Sequence, residues 1–138
     1  MTQEMIAVRP LPEVTRLTAP FWDAVRNRRL VLQRCGSCAR CRFPPEVACP
    51  HCGSLDAEWA PVSGCATLYT WTVAHPPLLP YFQKRSPWLI AAVELEEGPR
   101  LITNLAGIAP EECAIGMPLL CEFEEIEDEV TLIVFRRR

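Results

Sequence analysis

The sequence predicts a mainly β protein, and three observations carry that prediction. Fourteen prolines and six glycines among 138 residues break the chain too often for long helices. Five short strand-like runs follow one another from Cys65 onward, most of them separated by turn signals. Five of the eight cysteines crowd into residues 35–54, CGSCARCRFPPEVACPHCGS, a pattern suited to a metal-stapled ribbon. The expected order is an N-terminal helical segment over 1–29, a zinc ribbon over 30–57 and a five-stranded barrel over 58–138.

The helical segment is read from TAPFWDAVRN, Thr18 to Asn27. Thr18 suits an N-cap, Pro20 the first turn, and Asp23 the positive end of the helix dipole. Phe21, Trp22 and Val25 fall at helical spacing and dock the helix on the protein's own body or on a partner. The next run, LVLQRC from Leu30 to Cys35, alternates and leads into the cysteines as a strand.

The cysteines read Cys35-x-x-Cys38, ten residues, then Cys49-x-x-Cys52. A tetrahedral zinc site needs four soft ligands on two short turns, and each Cys-x-x-Cys pair supplies two sulfurs from one turn. Such a turn closes through a left-handed residue, which glycine adopts without strain. Gly53 follows Cys52 and meets that need, whereas Ala39 follows Cys38 and does not. Cys41 could form an alternative pair with Cys38, but no glycine stands in or after that turn. Cys35, Cys38, Cys49 and Cys52 are therefore the expected ligands. Cys41 then lies on the strand leaving the first turn, and His51 points to solvent. Four thiolates leave no coordination position open, so this zinc is structural. A redox dithiol would need a βαβ setting, which the sequence lacks.

The barrel strands are expected at Cys65–Ala74, Trp88–Leu95, Arg100–Ala106, Leu119–Ile126 and Val130–Phe135. The fourth alternates most cleanly, with Leu119, Cys121 and Phe123 on one face and Glu122 and Glu124 on the other. Turns are marked by Glu97-Gly98-Pro99, Gly116-Met117-Pro118 and Glu127-Asp128. Five short antiparallel strands without a long helix point to a small closed barrel. Between the first two runs lies HPPLLPYFQKRSP, His75 to Pro87. Its Leu78, Leu79, Tyr81 and Phe82 make it unusually apolar for a loop, so it either covers a barrel mouth or meets a partner.

The ribbon with FPP between its turns and CPHCGS closing it, followed by VSGCATLYTWTVAH, EGPRLITNL and IGMPL, resembles one family over nearly the whole chain. That family is the zinc-ribbon/OB-fold proteins called domain of unknown function 35, or acyl-CoA-associated OB-fold proteins. The resemblance implies a rubredoxin-like ribbon, a C-terminal OB barrel, and zinc on Cys35, Cys38, Cys49 and Cys52. It implies a non-catalytic partner of thiolase-like enzymes, such as lipid-transfer-type thiolases or aldolases, or of acyltransferases. In such a hetero-oligomer the small subunit helps accommodate or pass acyl-CoA. Two positions depart from the pattern: Glu46 stands after FPP where a basic residue is common, and Cys65 where a small residue without a thiol is usual.

Charge and inventory narrow the function further. Net charge is −3, divided between residues 1–56, with eight Arg against five acids, and residues 57–138, with six Lys or Arg against twelve acids. The acidic barrel half repels phosphate, so nucleic acid is the disfavoured alternative for a ribbon and an OB barrel. Arg26, Arg28, Arg29, Arg34, Arg40 and Arg42 form a basic group, and the first four are the candidate contacts for coenzyme A phosphates. No nucleophile elbow or phosphate-cradling glycine loop appears, and Cys65, Cys113 and Cys121 read as inert strand thiols. The expectation is a non-enzymatic subunit. No apolar run is long enough to cross a bilayer and no secretory leader is visible, which places the chain in the cytoplasm with reduced thiols. The expected partner surface comprises Phe21, Trp22, Leu78, Leu79, Tyr81 and Phe82.

Overall fold

A computed structural model describes residues 9–75, 79–127 and 130–138. The first element among the described residues is α1 (Ala19–Arg26), whose buried face of Phe21, Ala24 and Val25 follows the expected helical spacing. Thr18 does not cap it through its side chain. Thr18 already has helical angles, and its hydroxyl instead accepts from the Thr15 N–H at 2.9 Å, while Ala19 N–H reaches the Thr15 carbonyl. Asp23 lies beyond the first turn and pairs with Arg26 at 3.5 Å.

The ribbon is a three-stranded sheet. β1 (Val31–Cys35) lies between β2 (Cys41–Arg42) and β3 (Ala57–Pro61), both antiparallel to it. β1 is not the half-exposed alternating strand expected, because Val31, Leu32 and Gln33 are all buried. Leu32 faces the shared core, while Gln33 on the other face is bonded by Arg42 and the Glu46 backbone. The expected ribbon–barrel boundary at 57/58 falls inside β3, which pairs with β1 along five residues from Ala57 to Pro61.

The barrel sheet runs β6-β5-β4-β8-β9-β7. Its strands are β4 (Cys65–Ala74), β5 (Trp88–Leu95), β6 (Arg100–Thr103), β7 (Leu105–Ala106), β8 (Pro118–Glu127) and β9 (Val130–Arg137). The run expected as one strand over 100–106 divides at Asn104. Before it the chain pairs antiparallel with β5; after it the chain pairs with β9, and that pairing is parallel rather than antiparallel. Asn104 secures the switch: its side-chain N–H donates to the Leu89 carbonyl at 2.8 Å and its carbonyl accepts from Phe135 N–H at 3.1 Å. Closure of the sheet leaves fewer free edges than an open one would.

One glycine is required by geometry. Gly64, just before β4, has φ +80, and a Cβ there would lie 3.2 Å from Cys121 Cβ. Its carbonyl accepts from the Cys121 N–H, which ties the entry of β4 to β8.

Helix, ribbon base and barrel share one core. Phe21, Val25, Leu30 and Leu32 pack in the same cluster as Leu68, Val93, Leu101, Leu119 and Phe135. Leu119, Cys121 and Phe123 face that cluster, as their alternation predicts, with Leu119 buried completely. The loop after β4 is not structureless. It holds a short helix α2 (Pro80–Gln83), and Phe82 packs between Tyr81 and Trp88 at ring distances of 5.1 and 4.9 Å. Leu78 lies outside the described residues.

Candidate metal centre

The ribbon sheet carries two turns at one end. Cys35 ends β1, the chain reverses through Gly36–Ala39, and Cys41 begins β2. Cys49 and Cys52 come from the loop between β2 and β3. The four sulfurs of Cys35, Cys38, Cys49 and Cys52 lie within 4.8 Å of one another. Cys35 and Cys52 sulfurs are 3.5 Å apart, and Cys38 and Cys49 sulfurs 3.7 Å. A disulfide would bring its sulfurs to about 2.05 Å. Tetrahedral zinc–sulfur bonds of about 2.3 Å place sulfurs a little under 4 Å apart, which these separations fit. Cys41 is not in the group. It occupies the first position of β2, as expected.

Backbone donors converge on the sulfurs. Ser37 N–H and Cys38 N–H each reach Cys35 Sγ at 3.4 Å, and His51 N–H reaches Cys49 Sγ at 3.4 Å. These N–H groups favour thiolate. They hold the Cys35 thiol down to about 6, Cys38 N–H acting most strongly. The Cys49 thiol is also lowered: burial pushes it up, but hydrogen bonds from the backbone of His51 and Cys52 outweigh that. At Cys52 the Ser54 N–H pulls the thiol down, but the neighbouring Cys35 sulfur and burial push it up more strongly, to about 11.

The two turns close differently. Gly53 takes φ +78 and Ala39 takes φ +65, so the first turn forces an alanine into the left-handed region where the second uses glycine. Ala39 N–H bonds the Cys35 carbonyl at 3.0 Å and Gly53 N–H the Cys49 carbonyl at 2.8 Å. His51 is exposed, with Nδ1 3.0 Å from Arg40 Nη1. Four sulfurs complete a tetrahedral shell, so the group can hold a metal as a closed staple and leaves no position for metal-bound water.

The other candidate residues do not form a single site. Arg26 pairs with Asp23, Arg28 with Glu125 at 3.4 Å, and Arg34 with Glu58, its Nε lying 2.9 Å from the carboxylate. Arg28 and Arg29 line one cavity of about 270 Å³ with Val62, Cys121 and Phe123. Arg26 lines a separate one of about 120 Å³ with Leu11, Val14 and Trp22. Phe21 is only 2% exposed and packs against Trp22 and Phe43. The expected partner role for Phe21 is therefore corrected: the core already covers it. Trp22 is half-buried, Tyr81 and Phe82 are half-buried, and Leu79 is exposed. Burial holds Cys41, Cys113 and Cys121 above the usual thiol range, Cys121 at about 12. A raised thiol pKa disfavours the reactive thiolate at these three positions. Sequence reasoning missed Gln33, whose Oε1 accepts from Arg42 Nε at 3.0 Å and Glu46 N–H at 2.8 Å. A lone Gln in an apolar run carries no motif signal.

Comparison with known proteins bears on the same two regions. Residues 22–58 match the model for the ChsH2 rubredoxin-like zinc ribbon domain, and residues 59–124 the model for the ChsH2 C-terminal OB-fold domain. A DUF35 domain-containing scaffold protein of Methanocaldococcus jannaschii is 33% identical over 117 residues, covering 83% of this chain and 82% of the relative. The chain belongs to the DUF35 family. A chain of the solved Ltp2-ChsH2(DUF35) aldolase superposes on this DUF35 protein with TM-score 0.82 at 45% identity, covering 91% of this chain and 98% of that one. A probable enoyl-CoA hydratase alpha subunit of Thermomonospora curvata is 46% identical over 134 residues, 97% of this chain and 41% of the relative. The chain spans about two fifths of the length of the hydratase-named relatives it matches. The fold expected from the sequence, a helical segment, a zinc ribbon and an OB barrel, is the one found. Among the described residues, no helix is long and apolar enough to cross a membrane.

Proposed function

We propose that this DUF35 chain is a non-catalytic subunit that binds a thiolase-like enzyme, such as a lipid-transfer-type thiolase or aldolase, and helps accommodate its acyl-CoA substrate. The observation that carries the reading is the 45% identity to a chain of the Ltp2-ChsH2(DUF35) aldolase, extending over 98% of that chain. The sulfur cluster supports it, since a closed four-thiolate zinc organises the ribbon and supplies no reacting group. The hydratase names belong to chains more than twice as long, and so do not place hydratase chemistry in these residues. Coenzyme A, if it touches this chain, is best served by Arg28 and Arg29, which share a cavity. Trp22 and the Leu79–Phe82 segment offer the partner surface, because aromatic anchors dominate interface energies.

Co-expression with thiolase-like enzymes, followed by affinity capture and size-exclusion chromatography, tests the assignment. A stable hetero-oligomer is expected, with acyl-CoA turnover only when the partner is present. Trp22→Ala or Phe82→Ala should weaken the complex by about tenfold or more while zinc content holds. Turnover by the isolated, rigorously purified chain would overturn the subunit reading.

A further inference from the structure

Among the described residues, the buried cation of the ribbon makes no ion pair. Arg42 in β2 is only 5% exposed. Its Nε donates to Gln33 Oε1 at 3.0 Å and its Nη2 to the Glu46 carbonyl at 3.1 Å. Both acceptors are neutral, and Nη1 is buried with no hydrogen-bond partner among the described residues. By contrast, Arg34, Arg100 and Arg136 pair with Glu58, Glu94 and Glu122, and all three are about half exposed, where pairing gains little. A desolvated guanidinium is costly unless an anion or a full set of acceptors compensates it.

Arg42 lines a groove of about 560 Å³ between β2, the edge strand of the ribbon sheet, and the turn joining β5 to β6. Arg40 and His51 line the same groove, with Phe43 and Pro99 as apolar walls. One acid is present. Glu97 accepts from Ser63 N–H through Oε2 at 3.1 Å, while its Oε1 is buried without a partner, and no ion pair joins it to Arg42 among the described residues. Two arginines against one glutamate leave the groove one positive charge in excess, which matches a single carboxylate better than a doubly charged phosphate.

We propose that this groove receives an Asp or Glu side chain of the partner enzyme, with Arg42 Nη1 as the donor that meets it. The inference rests on the subunit reading above and adds the chemistry of the anchor. Two hydrogen bonds already fix the guanidinium, so little side-chain freedom is lost when the carboxylate arrives. Arg40 at the rim attracts the acid during encounter.

The test uses the full chain and the co-purifying thiolase-like enzyme, with affinity measured by calorimetry or surface binding. Arg42→Gln should weaken the complex by about tenfold or more, because the partner's carboxylate would then be buried unpaired. Zinc content and thermal unfolding of the free chain check that the ribbon remains folded. Glu97→Gln is the decisive second variant. It removes the competing negative charge and should leave the complex as tight or several-fold tighter, with the free chain equally stable. If instead Glu97→Gln destabilises the free chain and loosens the complex, Glu97 is the internal counter-ion of Arg42 and the proposal fails. Arg136→Gln, at a side chain that is half exposed and already paired with Glu122, should change nothing. If both Arg42→Gln and Glu97→Gln bind like the wild type, the groove is not the anchor although the subunit reading stands. If the wild-type chain captures no thiolase-like enzyme, the subunit reading itself falls and takes the anchor with it.

Discussion

The ribbon tip and the barrel are held together by different physics. At the tip the buried hydrophobic positions are Cys35 and Cys49, while Val47 and Leu55 are more than 70% exposed. No apolar cluster lies there to fold around, and the four clustered sulfurs offer a metal site that would take its place. The barrel instead centres on Phe135, Leu68, Leu101, Leu119 and Val93, each 1% exposed or less. The lesson is one of scale. A short ribbon buries too little apolar surface to offset chain entropy, whereas six paired strands bury enough. β1 joins the two regimes: Leu32 lies in the common core and Cys35, three residues on, lies in the metal cluster.

The largest expected break is in the metal. Cys49→Ser should abolish stoichiometric zinc binding and unfold the tip, since apparent binding energies of structural zinc in finger peptides reach about 10–16 kcal/mol. Barrel amides should retain their hydrogen-exchange protection, because their core contains no metal ligand except through β1. Cys41→Ser should keep zinc near one per chain. Equal zinc loss in both variants would show that the ligand set is wrong.

Acid should reproduce the first effect without mutation. Bound metal needs all four thiolates, so zinc affinity should fall as pH falls and recover as it rises. The Cys35 thiol, lowered to about 6, favours thiolate above that pH and loses its advantage as pH drops through it. Zinc release monitored with a chelating dye between pH 8 and 5 checks the direction. Release that increases with pH would contradict it.

Next in size is a break in the barrel. Phe135→Ala should destabilise the protein by about 3–5 kcal/mol through loss of burial plus a cavity. Zinc content should be unchanged at temperatures where the variant remains folded. Denaturant unfolding followed together with metal release measures both; simultaneous loss at the lowest denaturant would mean that tip and barrel are one cooperative unit.

The smallest effect sharpens the comparison within the tip itself. Ala39 at φ +65 occupies a conformation that disfavours a Cβ by about 1–2 kcal/mol. Glycine there removes that strain but adds freedom to the unfolded chain, which returns part of the gain. Ala39→Gly should therefore stabilise by up to about 1 kcal/mol, measured as a rise in the unfolding midpoint. A fall would mean that the turn is not strained.

Local chemistry made much of this protein legible in its sequence. The Cys-x-x-Cys spacing identified the four residues that cluster, because a turn of that length fixes where its two sulfurs can go. The missing glycine at position 39 showed which turn would be strained. Alternation in β8 identified Leu119, Cys121 and Phe123 as its inward face, because side chains of a strand repeat every two residues. Tertiary structure alone decided the rest. The change of partner at Asn104 depends on Leu89 and Phe135, 15 and 31 positions away, and a strand run does not reveal which neighbour it will meet. Phe21 and Trp22 are adjacent aromatics on one helix, yet only Phe21 is fully buried, because Phe43 and the shared core close over that face. Arg42 looks like one more surface arginine until Gln33 and Glu46 fold over it. Burial is a property of what the rest of the chain brings near, and no local spacing encodes it.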